Sequence, residues 1–483
     1  MIVSRHCVYF GLLICVLSGC VHQTQDKQQA NQAVKDKLSA KLQEKLDQKT
    51  SQRTAPDEQA ITLAASIGPT NPKAVSDAGD FYRNRFLADK RSSDANKAIE
   101  YYQQFLQLQP EHLNTQIVLY DLYYKLHFNN QVNDFERLST QYNRLPEQHR
   151  VYINAPETAE AYRILITNKK SKQENYQQSK LLAVKGLQRA PRSSGAYILL
   201  SNILSDEKRY AAVISLLEQG LKYFPNNALF MEYIGNAHHD MAYQQSCEFE
   251  DQQSWQRAVT YYTQAKQTKP DNTDIRFNLV QSYFSLNQRQ QALDEAKQLY
   301  QLNSSKNSLI DVIEGYLAIG DFSTAYEFME QKKQQYSSTF SPRVYAEYLM
   351  RMGKWEQALT HYQQHTFSSD NTNNLYSSLQ ATMVAQVVGS SWRPETNLKA
   401  SANNGWQKVL LNYWQGKINS HTLLNTAKDR CEQLEANTYI GYRYWQQQQY
   451  DEAKYYLTAA TNTGIPLFVE DAIATQLLHS IPQ

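Results

Sequence analysis

The sequence predicts an all-α fold built from stacked helical hairpins, and three observations predict it. From about Ser76 onward, Tyr, Leu and Ala recur at steps of three and four, the period of an amphipathic helix. Only 16 Gly and 13 Pro punctuate 483 residues, too few for a turn-rich β sandwich. Small residues also return at a fixed interval: Ala258, Ala292, Ala325 and Ala358 are separated by 34, 33 and 33 residues, and Ser179 and Val213 by 34. Pro191, Pro225 and Pro270 each stand twelve residues after one of these positions.

That interval is the tetratricopeptide (TPR) period, a helix–turn–helix whose second helix is closed by Pro. The expected architecture is a TPR-type helix-turn-helix superhelical solenoid with a C-terminal capping helix. An early unit carries Ala98, Tyr102, Phe105 and Pro110, and residues 111–160 read as helical but degenerate. Ser194–Asn227 places Tyr197, Leu200, Leu204, Val213, Leu217 and Gly220 at the pattern positions. Gly235 and Ala258 are 23 apart where the pattern needs about twelve, so a lengthened helix or surface loop is expected near 240–252. Leu279, Tyr283, Ala292 and Ala296 form the next unit, followed by Ile313, Tyr316, Gly320, Ala325 and Met329. Leu349, Gly353, Ala358 and Tyr362 continue the series, and Ile440, Gly441, Tyr450, Ala453 and Leu457 end it. Ala and Gly let neighbouring helices approach, and Tyr or Leu fills the space beside them. Tyr pairs at 101–102, 123–124, 261–262 and 455–456 suggest packing before sugar stacking, since several fall on core positions. Leu467, Phe468, Ile473, Leu477 and Leu478 give a last helix the apolar face that closes the array.

The N-terminus reads differently. Arg5 precedes a ten-residue apolar run, Val8–Leu17, too short to span a bilayer and typical of an export signal. Leu17-Ser18-Gly19-Cys20 looks like a lipobox, whose Cys thiol would receive a diacylglyceryl group. Val21 in place of Asp leans toward the outer membrane. The expected organisation is a signal peptide at 1–19, a lipidated Cys20 with a polar tether at 20–75, repeats at 76–400 and a capping module at 401–483. Within the tether, Val34, Leu38, Leu42 and Leu46 make one narrow stripe, and Thr50–Pro72 reads as linker.

Inner helices of such an array line a concave groove suited to peptides or helices of other proteins. The position two residues after the pattern Leu or Ile faces inward: Asn202, Asn236, Gln281, Glu314, Glu347 and Tyr442. Asn202 and Asn236 are a candidate peptide clamp, because one amide can bond a backbone bidentately. With 49 cations interspersed among 47 anions, nothing drives binding to nucleic acid. No nucleophile elbow, phosphate loop or dinucleotide fingerprint occurs, so neither an enzyme nor a cofactor is expected. His238, His239, Cys247, Glu248 and Glu250 match no zinc spacing, and His361 and His365 have Tyr362 where a catalytic helix needs Glu, so no metal is expected. Once the signal is gone and Cys20 acylated, Cys247 and Cys431 are the remaining thiols. Several stacked layers at ~10 Å each separate them, so no bridge between them is expected.

The segment Gly405–Leu478 carries a more specific pattern: Trp406, Tyr413-x-x-Gly416-Lys417-Ile418, Leu423-Leu424, Cys431-Glu432, Ala436-Asn437-x-Tyr439-x-Gly441-x-x-Tyr444 and Phe468-Val469-Glu470. It resembles the closing segment of NlpI-type TPR lipoproteins of Gram-negative outer membranes. That resemblance implies a non-catalytic periplasmic adaptor, anchored through its N-terminal lipid and palmitate. Its partners would be envelope proteins or peptides, murein hydrolases or a protease among them, and a homodimer is possible. The competing expectation is an accessory lipoprotein of exopolysaccharide export or of pilus assembly.

Overall fold

A computed structural model describes residues 58–482, apart from breaks at 60, 64, 67–69, 130, 132, 167–171, 245–246, 248–250, 338, 366–373, 395–404 and 466–467. The expected signal, Cys20 and the tether through residue 57 lie outside the described residues. So does Leu467 of the closing face. The described residues form two compact units, 58–226 and 227–482.

The first unit runs α1 (Pro72–Asp89), α2 (Ser92–Leu108), α3 (Leu113–Phe128), α4 (Phe135–Arg144), the single turn α5 (Glu147–Arg150), α6 (Pro156–Ile166), α7 (Lys172–Arg189), α8 (Ser194–Asp206) and α9 (Tyr210–Leu221). The second runs α10 (Ala228–Gln244), α11 (Gln252–Thr268), α12 (Thr273–Ser285), α13 (Arg289–Leu302), α14 (Lys306–Ala318), α15 (Phe322–Lys332), α16 (Pro342–Arg351), α17 (Trp355–Gln363) and α18 (Asn374–Val387). It continues through α19 (Gly405–Trp414), α20 (Ser420–Thr426), α21 (Arg430–Gln446), α22 (Tyr450–Thr461) and α23 (Val469–Ser480). This is the all-α TPR-type solenoid that the periodicity predicts. The expected insertion falls between the end of α10 at Gln244 and the start of α11 at Gln252, where 245–246 and 248–250 lie outside the described residues.

Local chemistry explains the starts and stops. Asn71, Asp134, Asp251, Asn272, Asp321, Asn419 and Asp429 each accept a backbone N–H in the first turn of the helix they precede. The tight turn inside a pair recurs with one left-handed residue: Lys90, Lys208, Asn287, Gly320, Gly353 and Gln448 all have φ between 55° and 80°. Gly adopts that region without a Cβ penalty, whereas Lys and Gln do not.

Pairs close by setting a small residue of one helix against a large one of the next. A Cβ on Gly79 would stand 2.8 Å from the Tyr102 ring, and one on Gly235 2.6 Å from the Tyr262 ring. The hydroxyls of both rings remain satisfied: Tyr102 donates to Asp80 at 2.6 Å and Tyr262 to Asn236 at 2.7 Å. The paired tyrosines at 102 and 262 are therefore buried core residues.

Two expectations need correction. The stretch 50–72 was expected as plain linker. From Glu58 on it packs onto the first pair, where the Glu58 carboxylate accepts from Tyr82 (2.8 Å), Arg85 (2.6 Å) and Lys97 (3.0 Å). Burial opposes its charge, but those donors outweigh burial and hold its pKa near 2. The second correction is larger. Cys247 and Cys431 form a disulfide, with Cα atoms 5.1 Å apart across 184 residues of sequence. Beside it, Arg430 N–H donates to the Cys247 carbonyl at 2.8 Å. Stacking in a straight line would keep the two apart. The second unit instead curls, so the start of α21 returns to the loop after α10. Here α23 packs on α16, α21 and α22, and one apolar core extends from Leu309 to Leu477. The capping segment is thus continuous with the repeats before it.

Two measurements follow from this architecture. Lys208→Gly and Gln448→Gly should each raise unfolding free energy by roughly 0.5–1 kcal/mol in urea titration, since each relieves a left-handed side chain. Replacing both bridged cysteines by Ala should lower the stability of the second unit by about 2–5 kcal/mol, the range for closure of so long a loop. An unchanged urea midpoint in the double variant would show that the bridge constrains nothing.

Candidate interaction groove

The inner helices of the second unit are α10, α12, α14, α16 and α18, and polar pairs link each to the next. Asn278 Nδ2 donates to Asn236 Oδ1 at 2.9 Å, joining α12 to α10. Gln281 Nε2 donates to Asp311 Oδ1 at 3.0 Å, joining α12 to α14. Arg351 grips Glu314 with both nitrogens, at 2.7 and 2.5 Å, joining α16 to α14. Arg343 pairs with Glu347 within α16 and reaches Ser377 of α18 at 3.5 Å. A bidentate guanidinium–carboxylate pair fixes orientation as well as charge.

This row divides into an open part and a covered part. Asn236, Asn278 and Gln281 are half-buried. Asp311, Glu314, Arg343 and Arg351 are buried. The cover is the chain's own C-terminal segment: Gln476 of α23 donates to the Arg351 carbonyl at 2.9 Å, and Gln380 of α18 donates to Glu470 at 3.4 Å. Tyr439 donates to the same Glu470 oxygen at 3.4 Å, and Thr438 to the Glu470 carbonyl at 3.3 Å.

The six inward positions expected from the sequence therefore meet different fates. Asn202, in the first unit, is exposed on α8. Asn236 Oδ1 already accepts from both Tyr262 and Asn278, which fills its two lone pairs and leaves only its Nδ2 for a ligand. Gln281 keeps Oε1 for a ligand. Glu314 and Glu347 are locked in ion pairs with arginines, and Tyr442 is buried with its hydroxyl on Gln386. Asn278, Asp311, Arg343 and Arg351 escaped the sequence reading. They stand three or four residues from the chosen positions on the same helix face, so the spacing did hold the signal.

Electrostatics under the cover are unusual. Glu435 accepts from Trp406 Nε1 at 2.8 Å and from Tyr376 at 3.0 Å, both neutral donors. Burial, then the neighbouring Glu470, push its pKa up, and burial raises Glu470 as well. Burial raises Asp471 to about 6, against the pull of Arg289 and Arg351. Asp311 rises well above the carboxylate range through burial and the nearby Glu314 charge.

The histidines do not assemble into a ligand set. His238 stacks on Tyr261, and His239 meets Trp255 edge-on at 4.8 Å. His361 packs against the Tyr345 ring at 4.6 Å, and burial lowers His365 to about 4. Among the described residues Cys247, Asp429 and Cys431 do converge, but the two sulfurs are bonded to each other and Asp429 caps α21.

No protein-family model matches this sequence, and no curated protein matches it. Among solved structures, YrrB is described as a TPR protein with an unusual peptide-binding site. It aligns over 52% of this chain and 97% of its own, at 11% identity and a TM-score of 0.25. An overlap that loose identifies neither a site nor a partner.

The buried acids make a sharp pH signature. A carboxyl whose pKa is raised on folding stabilises fully below the ordinary carboxylate range and loses that contribution as pH climbs through its folded value. Glu435→Gln keeps an acceptor for Trp406 and Tyr376 and removes the titration. Its stability relative to the parent should therefore increase steadily between about pH 5 and about pH 8 in thermal unfolding. A difference that stays flat across that range would refute a proton held at Glu435.

Proposed function

We propose that this chain is a non-catalytic scaffold, exported and lipid-anchored through Cys20, that holds other cell-envelope proteins in the open part of its groove. The observation that carries the reading is the inner-helix row at Asn236, Asn278 and Gln281. It presents amide donors and acceptors on two adjacent inner helices, beside a stretch that the chain covers itself. Amides in a row match the backbone of an extended or helical segment, and they carry no charge that would need neutralising.

Two features support an exported location. The apolar run and Leu17-Ser18-Gly19-Cys20 fit a lipoprotein signal. A disulfide closing 184 residues persists in an oxidising compartment. On the resemblance of residues 405–478 to NlpI-type lipoproteins, the partners are murein hydrolases or a protease of the periplasm, and the anchor sits in the outer membrane. Two copies of the scaffold at one membrane patch would gather such enzymes more effectively than one.

A tagged full-length chain, crosslinked in cells and extracted in detergent, should capture murein hydrolases or a periplasmic protease. The Cys20→Ala form should leave the membrane fraction. Asn236→Ala combined with Gln281→Ala should cut capture about tenfold in a variant that is still helical by circular dichroism, although the Tyr262 hydroxyl loses its acceptor and some stability with it. Recovery of export or pilus subunits instead would replace the adaptor reading with that of an assembly component. Recovery of no envelope protein would end the scaffold reading.

A further inference from the structure

A cleft of about 420 Å³ opens between the end of α18, the segment after it, α19 and α21. Its volume falls within the ~300–1,000 Å³ range of small-ligand sites. One wall is aromatic: the Trp414 indole lies parallel to the Tyr442 ring, with centroids 5.8 Å apart and planes 7° apart. Gln386 and Gln446 add amides to the lining, and Arg393 and Arg443 add guanidiniums. Among the described residues, no acid lines the cleft.

The two guanidiniums mark this place out because they line one cleft. Several others meet carboxylates: Arg276 with Glu295, Arg351 with Glu314, Arg343 with Glu347, Arg85 with Glu58 and Asp94. Arg192 and Arg289 donate to neutral oxygens, but singly. Arg393 donates only to the carbonyls of Ser390 and Trp392, at 3.2 and 2.7 Å. Arg443 donates to the Trp414 carbonyl at 3.1 Å and sits 4.5 Å over the Tyr413 ring. Neither has a carboxylate partner among the described residues. The ring and carbonyl contacts hold the Arg443 fork in place without neutralising it, which is the preorganised state that a bidentate anion site requires.

We propose that this cleft binds a carboxylate-bearing ligand, with the carboxylate on Arg393 and Arg443 and the body of the ligand against Trp414. Two planar forks and neutral amides suit a planar, singly charged group. A phosphate carries more charge, and among the described residues the cleft offers it neither a lysine nor a further cation. The carboxylate has two possible sources, the free end of a peptide or a sugar acid, and the same cleft geometry serves both. The inference stands apart from the scaffold reading, since none of its residues belongs to the open row at Asn236, Asn278 and Gln281.

Calorimetric titration of the whole mature chain tests it with two pairs of probes and with inorganic phosphate as a fifth. Acetyl-trialanine is set against its C-terminal amide, and glucuronate against glucose. In at least one pair the acid should bind at least tenfold more tightly than its neutral partner, and the pair that discriminates identifies the source. Arg393→Ala and Arg443→Gln should each weaken that acid at least tenfold, and added salt should weaken it further. Arg393 is exposed, so its variant should keep the parent melting temperature and separate lost binding from lost folding. Equal binding of acid and neutral forms, no binding of either acid, tighter binding of inorganic phosphate, or acid binding that survives both substitutions would each overturn the proposal.

Discussion

An antiparallel helix pair has two apolar faces and can bury only one of them by closing on itself. Everything else in this chain follows from where the second face goes. Within a pair the first face closes by size: glycine at 79 or 235 leaves room for the tyrosine at 102 or 262, whose hydroxyl is bonded on the far side. Between pairs the second face goes to the next repeat. In α23 the face turns inward instead, and Ile473, Ala474 and Leu477 close the core. That last helix is placed partly over the inner face of α16, so the device that ends the array also takes up part of its groove.

Covering a polar surface with one's own chain has an electrostatic cost that the molecule meets in two ways. Where a cation is within reach, the acid keeps its charge, as Glu314 does against Arg351. Where the available donors are a phenol and an indole, as at Glu435, desolvation outweighs the hydrogen bonds and the acid favours its proton. Of the two solutions, only the second responds to pH near neutrality.

The fold was largely legible from spacing, because the TPR pattern is local: a small residue and a proline twelve later are read within one repeat. The turns were legible as turns, but not that Lys208 and Gln448 would occupy a left-handed position, since nothing about lysine or glutamine announces it. The inner positions were found by register, and their neighbours three and four residues away were missed only because one residue per helix was chosen. What register could not supply was curvature. A repeat pattern carries no information about the rotation between successive pairs, and that rotation decides whether Cys247 and Cys431 are several layers apart or in contact. It equally decides whether Glu347 and Tyr442 offer free groups to a groove or are taken up by Arg343 and Gln386. The expectation for 50–72 failed for a different reason: its composition is that of a linker, and one residue, Glu58, anchors it through three partners that belong to α1 and α2.

The sulfur bridge also changes what the second unit is as a mechanical object. Tension entering on the N-terminal side of Cys247 and leaving on the C-terminal side of Cys431 crosses one covalent bond and bypasses the 184-residue span between them. Fully drawn out, that span would add roughly 600 Å of contour at ~3.3–3.6 Å per residue. The bridge keeps that length in reserve until it is reduced. A single cut inside the span would open the loop yet leave one covalent molecule, its two arms still joined at the bridge.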